Sequence, residues 1–231
     1  VSAGFCTVST LVLFAIGPQS AGGRRSFRDA FRPLLRDPLL AAIALPLLVA
    51  YSSAALAESF ASNFLRDVAA LNLAAIGRMG SIWALGAAVI SLAAGRLTRR
   101  RSRLAGALAG CFGLTSLGLA VMIALPGRML PVGLAAILFG VAFFFRGADL
   151  SGRALINAHL AQSLKRESMG VGFGLANTLL AVAQVIAPPL AGWLYAGSPS
   201  WPFAVSLVAL PLAGGVLVWQ VRQGGGQASA Q

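Results

Sequence analysis

Residues 39–61 read LLAAIALPLLVAYSSAALAESFA, and this stretch decides the fold class. It holds 23 residues with a single charged side chain, Glu58. At 1.5 Å per residue such a helix is about 35 Å long, which is enough to cross the ~30 Å hydrocarbon core of a bilayer. Because a helix in lipid satisfies its own backbone hydrogen bonds, it also tolerates Pro46 in its interior. The stretch therefore predicts a membrane-spanning helix.

The rest of the chain has the same character. Of its 231 residues, 58% are hydrophobic and only 10% are charged, and the mean hydropathy is +0.81. Soluble domains carry about 25% charged residues, so a soluble fold is excluded, and a disordered chain is excluded on the same ground. A membrane barrel would need alternating segments of ~10 residues, which the chain lacks. We expect an all-α polytopic membrane helical bundle whose apolar runs are 39–61, 72–94, 104–125, 130–152, 169–193 and 201–221.

The segments outside the six-helix unit at 39–221 have different roles. Residues 1–17 are apolar and are followed, not preceded, by arginines, which is opposite to a signal peptide. Since the chain starts inside this run, we expect 1–17 to be a partial transmembrane span of a longer protein. Residues 18–38 form a basic connector, read either as an amphipathic segment on an anionic membrane or as a solvated linker. Residues 222–231 are expected to form a disordered tail.

The basic residues predict the orientation of the bundle. The net charge is +12, and its arginines lie in short clusters between apolar runs, so nucleic acid is not the expected partner. Counted over the connectors and the tail, 13 lysines and arginines fall on one side and two on the other. The positive-inside rule places the larger set in the cytoplasm. We therefore expect a multi-pass protein of the cell (inner) membrane, with residues 18–38 and the C-terminus cytoplasmic.

Two motifs carry a family resemblance. Residues 95–103 read GRLTRRRSR, with Gly95, Arg99, Arg100 and Arg103 as the motif positions. The run resembles the cytoplasmic-loop signature of the major facilitator superfamily, a glycine followed by a D-R-x-G-R-R type run. Arg99 stands in place of the acidic residue, and Ser102 in place of the second glycine, so the latch which that acidic residue supports is in doubt here.

The second motif lies in the fifth run, where GVGFG at 170–174 is followed by APPLAGWL at 187–194. The eleventh helix of the same superfamily is similar. Small residues four apart allow helices to approach closely, and consecutive prolines introduce a bend. The expected helix-packing residues are Gly170, Gly174, Pro188, Pro189 and Gly192.

The order and polarity of these features are similar to the C-terminal half of that superfamily, from the end of the sixth helix through the twelfth. The resemblance implies a 3+3 inverted repeat and alternating access around a site between two six-helix halves. It implies a secondary active transporter of a small solute, coupled to a proton gradient, whose N-terminal half is missing here. The expected partners are the substrate, the proton, membrane lipid and that missing half. No repeat between 39–125 and 130–221 is visible in the sequence.

Charged groups inside the fourth run are the main candidates for function, because a central charge costs about 2.5–3.5 kcal/mol on insertion scales. Arg146, Asp149, Arg153 and Asn157 recur at a spacing that places them on one helical face. Counted from residue 130, this stripe is expected at the cytoplasmic end of the span. It is read as an intracellular gate or interdomain contact, as an anion-substrate contact, or as a snorkelling cluster at the interface.

Two further sets are candidates. Glu58 and Arg78 lie near the outer ends of adjacent runs and could pair. They are read as an orienting ion pair, as two snorkelling side chains near the interface, or as part of an outer gate or proton-coupling site. Tyr51, Asn177 and Gln184 are polar at mid-depth. They are candidate substrate contacts, although hydrogen bonding between helices explains them equally well.

The alternatives to a transporter are a non-transporting membrane receptor or scaffold, and an intramembrane enzyme. The chain has one histidine, no H-E-x-x-H and no G-x-S-x-G motif. No enzyme activity, cofactor or metal site is therefore expected. Cys6 and Cys111 lie in apolar runs without partners at metal-ligand spacing and are read as inert thiols.

Overall fold

The computed structural model describes residues 38–98, 103–126, 131–164 and 169–227. Within these ranges every regular element is an α-helix. The helices are α1 Pro38–Ser59, α2 Ala61–Asp67, α3 Leu73–Leu97, α4 Leu104–Ala124, α5 Val132–Arg146, α6 Ala148–Ser163, α7 Met169–Gly197 and α8 Trp201–Gln227. The segment predicted as a partial span, nearly all of the basic connector and the motif residues Arg99 and Arg100 lie outside the described residues.

Within the described residues, six stretches are long and apolar enough to cross a membrane. They are span S1 at Leu40–Asp67 (α1 and α2), S2 at Leu73–Leu97 (α3), S3 at Leu104–Ala124 (α4), S4 at Gly133–Ser163 (α5 and α6), S5 at Met169–Gly197 (α7) and S6 at Trp201–Gln223 (within α8). The helices continue through the prolines at 46, 188, 189 and 211, as lipid permits. The predicted all-α polytopic bundle is confirmed, and the chain is a multi-pass membrane protein.

Two spans are longer than the sequence suggests. S1 runs six residues past 61, and S4 runs eleven past 152. The extension of S4 is a helix whose apolar side chains Leu155, Ile156 and Leu160 are buried in the bundle. Its other positions are polar, so mean hydropathy alone ends the span too early. α8 likewise continues through Gln227, six residues into the segment predicted as a tail.

The packing of the six spans repeats itself. S1 packs on S5 and S6, S4 packs on S2 and S3, and S3 packs on S6. The pattern is unchanged when each span is replaced by the span three places along the chain, that is, when S1 is exchanged with S4, S2 with S5 and S3 with S6. The S1–S5 contact then becomes S4–S2, the S1–S6 contact becomes S4–S3, and the S3–S6 contact stays the same. Because three is odd, the exchanged spans run in opposite directions through the membrane, which is the pattern of an inverted repeat.

Small residues close the two equivalent crossings. Where S2 crosses S4, a Cβ on Gly86 would overlap the backbone of Phe144, and a Cβ on Gly147 would overlap the backbone of S2. Where S1 crosses S5, Ala187 and Ala191 are fully buried. Helices in lipid associate through close backbone packing of this kind, because lipid tails are as apolar as the helices and no hydrophobic effect drives the helices together.

The glycines predicted to pack S5 divide into two groups. A Cβ on Gly192 would lie 3.5 Å from the ring of Phe60 on S1. A Cβ on Gly170 or Gly174 would meet nothing within 4 Å among the described residues. The close approach at this end of S5 is made by Gly172, whose Cβ would overlap the side chain of Leu164. Gly170 and Gly174 therefore face away from the rest of the described bundle.

Candidate functional site

S1 and S4 are exchanged with each other in the packing repeat, and each carries charged residues within its length. In S1 a single residue, Phe60, separates α1 from α2, and in S4 a single residue, Gly147, separates α5 from α6 while its backbone stays right-handed helical. Glu58 lies two residues before Phe60, and Arg146 lies directly before Gly147. Membrane transporters built from inverted repeats bind substrates and coupling ions where the repeats meet. The region between S1 and S4 is therefore the candidate site.

Five side chains make up what we call the central cluster: Tyr51, Glu58, Arg146, Asp149 and Arg153. Glu58, Arg146 and Asp149 line a cavity of about 10 Å³, which has room for about one water molecule. Four spans contribute to its wall, which consists of Ala54, Ala57, Glu58, Trp83, Thr115, Leu119, Arg146 and Asp149.

Asp149 and Arg153 form the ion pair of the cluster. The Arg153 Nη2 donates to Asp149 Oδ2 at 2.6 Å, one helical turn apart on α6, and the side chains are only 16% and 14% exposed. The Arg153 guanidinium also lies 5.5 Å from the ring centroid of Tyr51, which is buried on S1. A cation over an aromatic face is attracted to the ring quadrupole. Arg153 therefore links S4 to S1.

Arg146 is buried, with 7% of its surface exposed. Its Nη1 lies 3.7 Å from the sulfur of Met122, a weak acceptor, and its guanidinium lies 5.1 Å from the centroid of the Phe143 ring. Among the described residues, no carboxylate oxygen lies within 4.0 Å of its nitrogens. A buried cation without a direct counter-ion is expensive. Among the described residues, its charge is balanced at longer range by Glu58 and Asp149, which line the cavity.

Gly118 makes room for Arg146. A Cβ on Gly118 would lie 2.9 Å from Cγ of Arg146 and 2.5 Å from the carbonyl oxygen of Ala142. Neither Gly118 nor Met122 stands out in the sequence, because both lie in an ordinary apolar run. The close backbone approach at Gly147 has a weak signal in the sequence, since a glycine directly follows a charged residue within an apolar span.

The structure corrects the expected depth of the Arg146, Asp149, Arg153 stripe. Arg146 is the fourteenth of the 31 residues of S4, so it lies near the middle of the span. Its side chain contacts Met122, which is two residues from the end of α4 that lies opposite the arginine-rich connector. The prediction that the stripe lies at the cytoplasmic end is wrong, because S4 continues to Ser163.

The structure also separates the suggested pair of Glu58 and Arg78. The two described side chains form no ion pair, and Arg78 is exposed. Because S1 continues to Asp67, Glu58 lies nine residues from the end of the span and not three. This extra depth is what brings it to the cavity with Arg146 and Asp149.

Three other candidates lie outside the cluster. Asn177 and Gln184 are exposed on S5, on the face that the described bundle leaves uncovered. Asn157 is half-buried on α6, and its side chain makes no hydrogen bond among the described residues. Of the motif residues, Gly95 would meet nothing within 4 Å of an added Cβ among the described residues. Arg103 is exposed and lines the groove between α3 and α4.

A second polar contact lies at the end of the bundle opposite the arginine-rich connectors. Asp67 accepts from Arg66 Nε at 2.9 Å and from the Tyr195 hydroxyl at 3.1 Å, which joins α2 to the end of S5. Arg66 and Asp67 are 63% and 39% exposed, so this contact contributes little to stability. Nothing in the spacing of the sequence singles it out.

Within the described part of the chain, no three histidine, cysteine, aspartate or glutamate side chains are grouped as metal ligands would be. No protein-family model, curated protein or solved structure matches this chain. The geometry of the central cluster and the uncovered faces of S2 and S5 are therefore the grounds for a function.

Proposed function

We propose that this chain is one six-helix half of a secondary active transporter of the major facilitator type. The central cluster carries the proposal, because it places two arginines and two carboxylates between S1 and S4, two spans that are exchanged in the inverted packing repeat. Polar groups at this depth cost free energy unless they serve function or pairing. Substrate and coupling ions bind at the corresponding place in transporters built from inverted repeats.

The uncovered faces support a second six-helix unit as partner. In the most apolar window of S2 and of S5, only 17% of residues are buried, against 33–56% in the other four spans. These two spans are exchanged in the packing repeat. Their open faces carry small residues such as Gly77 and Gly174 and the exposed amides of Asn177 and Gln184. Small residues and amides suit contact with another helix better than contact with lipid.

The charges of the cluster suggest how the site works. Asp149 is already paired with Arg153, whereas Arg146 has no carboxylate within 4.0 Å among the described residues. An anionic group of a small solute would complete the pairing of Arg146, and Glu58 at the rim is the carboxylate available to take up a coupling proton. A ligand that changes these pairings would favour one of two arrangements of the halves.

The orientation follows the distribution of basic residues. The face that collects 13 connector and tail lysines and arginines is the cytoplasmic face in this proposal. The membrane is then the cell (inner) membrane, and the cavity between S1 and S4 opens to the two sides in turn.

Cysteine accessibility tests the proposal and does not require an identified substrate. Ala54 lines the cavity and is buried. In the full-length gene product, with its native cysteines replaced by serine, Ala54→Cys should react with a membrane-impermeant maleimide from either side of the membrane. Asp149→Asn should change the ratio of the two labelling rates, because it removes the charge that holds Arg153.

Ala187→Cys is the control, since Ala187 is buried as Ala54 is but packs in the apolar crossing of S1 and S5. It should remain unlabelled from both sides. If Ala54→Cys is also unlabelled from both sides, the cluster is a static element of a scaffold or receptor and the transporter proposal is wrong.

A further inference from the structure

A large apolar groove lies between α3 and α4, at their arginine-rich ends. It has a volume of about 520 Å³ and is lined by Val89, Ile90, Leu97, Gly106 and Gly110, among others, with Arg103 at its mouth. S2 and S3 are sequential but touch only slightly, so the groove stays open between them. It is distinct from the central cluster, none of whose residues lines it.

The groove has the dimensions of one leaflet. Arg103 and Leu114 both line it and are eleven residues apart. At 1.5 Å per residue the groove is therefore about 16 Å long, roughly half of a 30 Å hydrocarbon core. Glycines at 106 and 110 leave open space, because a Cβ on either would meet nothing within 4 Å. The lining thus accepts a chain of methylene groups along the helix direction.

Among the described residues, Arg103 has no acidic partner. No aspartate or glutamate occurs between residues 68 and 148, which includes both helices of the groove. Arg103 is exposed, and among the described residues it forms no ion pair. The face on which the groove opens is also the one that collects 13 connector and tail lysines and arginines. A guanidinium at the end of an apolar groove is complementary to an anionic headgroup that carries an acyl chain.

We propose that this groove binds an anionic phospholipid, with one acyl chain against Gly106 and Gly110 and the phosphate at Arg103. Basic pockets between transmembrane helices bind anionic headgroups by the same physics. The lipid would fill the gap between S2 and S3 and hold the two spans at a fixed separation. This site does not depend on whether the chain transports a solute.

Native mass spectrometry of the purified full chain, titrated with dioleoyl phosphatidylglycerol and separately with dioleoyl phosphatidylcholine, tests the proposal. Phosphatidylglycerol should bind about fivefold more tightly, the size of effect expected of one basic residue at the surface. Arg103→Gln should abolish that preference. Arg78→Gln, which removes an exposed arginine on the same helix as the groove but outside its lining, should retain it.

A second pair of variants tests the acyl-chain part of the groove. Gly110→Leu adds a side chain into open space. It should weaken the binding of both lipids at least about fivefold and leave the melting temperature of the chain unchanged. Gly215→Leu, at a comparable depth on α8 and equally open, should bind both lipids as the wild type does.

Four outcomes would overturn the lipid site. The first is equal binding of the two lipids by the wild type, and the second is an equal loss in Arg103→Gln and Arg78→Gln, which would indicate a general charge effect. The third is normal lipid binding by Gly110→Leu. If Gly110→Leu instead dissociates a dimer of the chain, the groove is a contact between copies and the proposal is also wrong.

Discussion

The two faces of S4 show contrasting ways of joining helices in a membrane. Toward S2, the backbone at Gly147 lies so close to α3 that no Cβ fits, and Ser151 donates to or accepts from Ser91 at 2.8 Å. Toward S1, the same helix presents Arg146 and Asp149 around a cavity with room for about one water. We call the first face the fixed crossing. We call the second the adjustable face, because the proposed function requires its charges to change partners.

The largest expected effect is at the fixed crossing. Gly86→Leu would drive a side chain into the backbone of Phe144, where no flexible neighbour can move aside. Overpacking of this kind costs about 3 kcal/mol or more when backbone must shift. The melting temperature of the purified chain and its abundance in the membrane should both fall sharply.

Gly80→Leu is the control for that change, because it lies on the same helix and its Cβ would meet nothing within 4 Å. It should melt as the wild type does. Equal melting of the two leucine variants would show that S2 and S4 are not held by backbone contact.

The ion pair of the adjustable face comes next. Asp149→Asn keeps the shape of the side chain but removes the charge that binds Arg153. We expect a loss of about 1–3 kcal/mol in stability, because a largely buried guanidinium loses its counter-ion. Thermal unfolding in detergent measures the loss.

Asp67→Asn is the matched control, since it also removes a carboxylate paired with an arginine. That pair is well exposed, with Arg66 at 63%, and exposed pairs contribute about 1 kcal/mol or less. If Asp67→Asn destabilises the chain more than Asp149→Asn, burial does not control the strength of these pairs.

Arg146 provides the sharpest test of the adjustable face, because we expect its removal to stabilise the chain. Arg146→Met keeps the length and removes a buried charge that has no carboxylate within 4.0 Å among the described residues. Replacing a buried charge by a well-packed apolar side chain is often stabilising, here by about 1–2 kcal/mol. The proposed function adds a second expectation, that the same variant abolishes transport.

Arg78→Met is the control for this prediction, since Arg78 is exposed, and it should leave the melting temperature nearly unchanged. A lower melting temperature for Arg146→Met would mean that Arg146 stabilises the fold and is not a residue retained for function.

The sequence predicts the six spans well, and the reason is physical. Each span must keep about 20 apolar residues in lipid, and this requirement is readable in any window such as 39–61. Hydropathy fails to locate the end of a span where neighbouring helices, and not lipid, provide the apolar environment. The second half of S4 buries Leu155, Ile156 and Leu160 on one side only, so its average hydropathy is low although it continues the span.

The central cluster is only partly predictable from the sequence. Arg146, Asp149 and Arg153 share one helix, so helical spacing alone groups them. Tyr51 and Glu58 reach the same place from S1, and nothing in a single sequence states which spans are neighbours. For the same reason, Glu58 is easily paired with the wrong arginine when its depth is judged from hydropathy.

The smallest expected effect distinguishes polar from backbone contacts at the fixed crossing. Ser151→Ala removes the hydroxyl that meets Ser91 and approaches the carbonyl oxygen of Ala87 at 3.4 Å. Hydrogen bonds between membrane helices average about 0.6 kcal/mol, and the backbone contact at Gly147 remains in this variant. Ser206→Ala provides the comparison, since its hydroxyl donates to the carbonyl oxygen of Ser53 on S1 at 2.7 Å. We expect both variants to lose about 0.6 kcal/mol in thermal unfolding.

A loss of about 2 kcal/mol or more for Ser151→Ala alone, well above that average, would mean that hydrogen bonds, and not close backbone approach, hold S4 to S2. Both faces of S4 would then be polar attachments, and only the presence of charge would distinguish them.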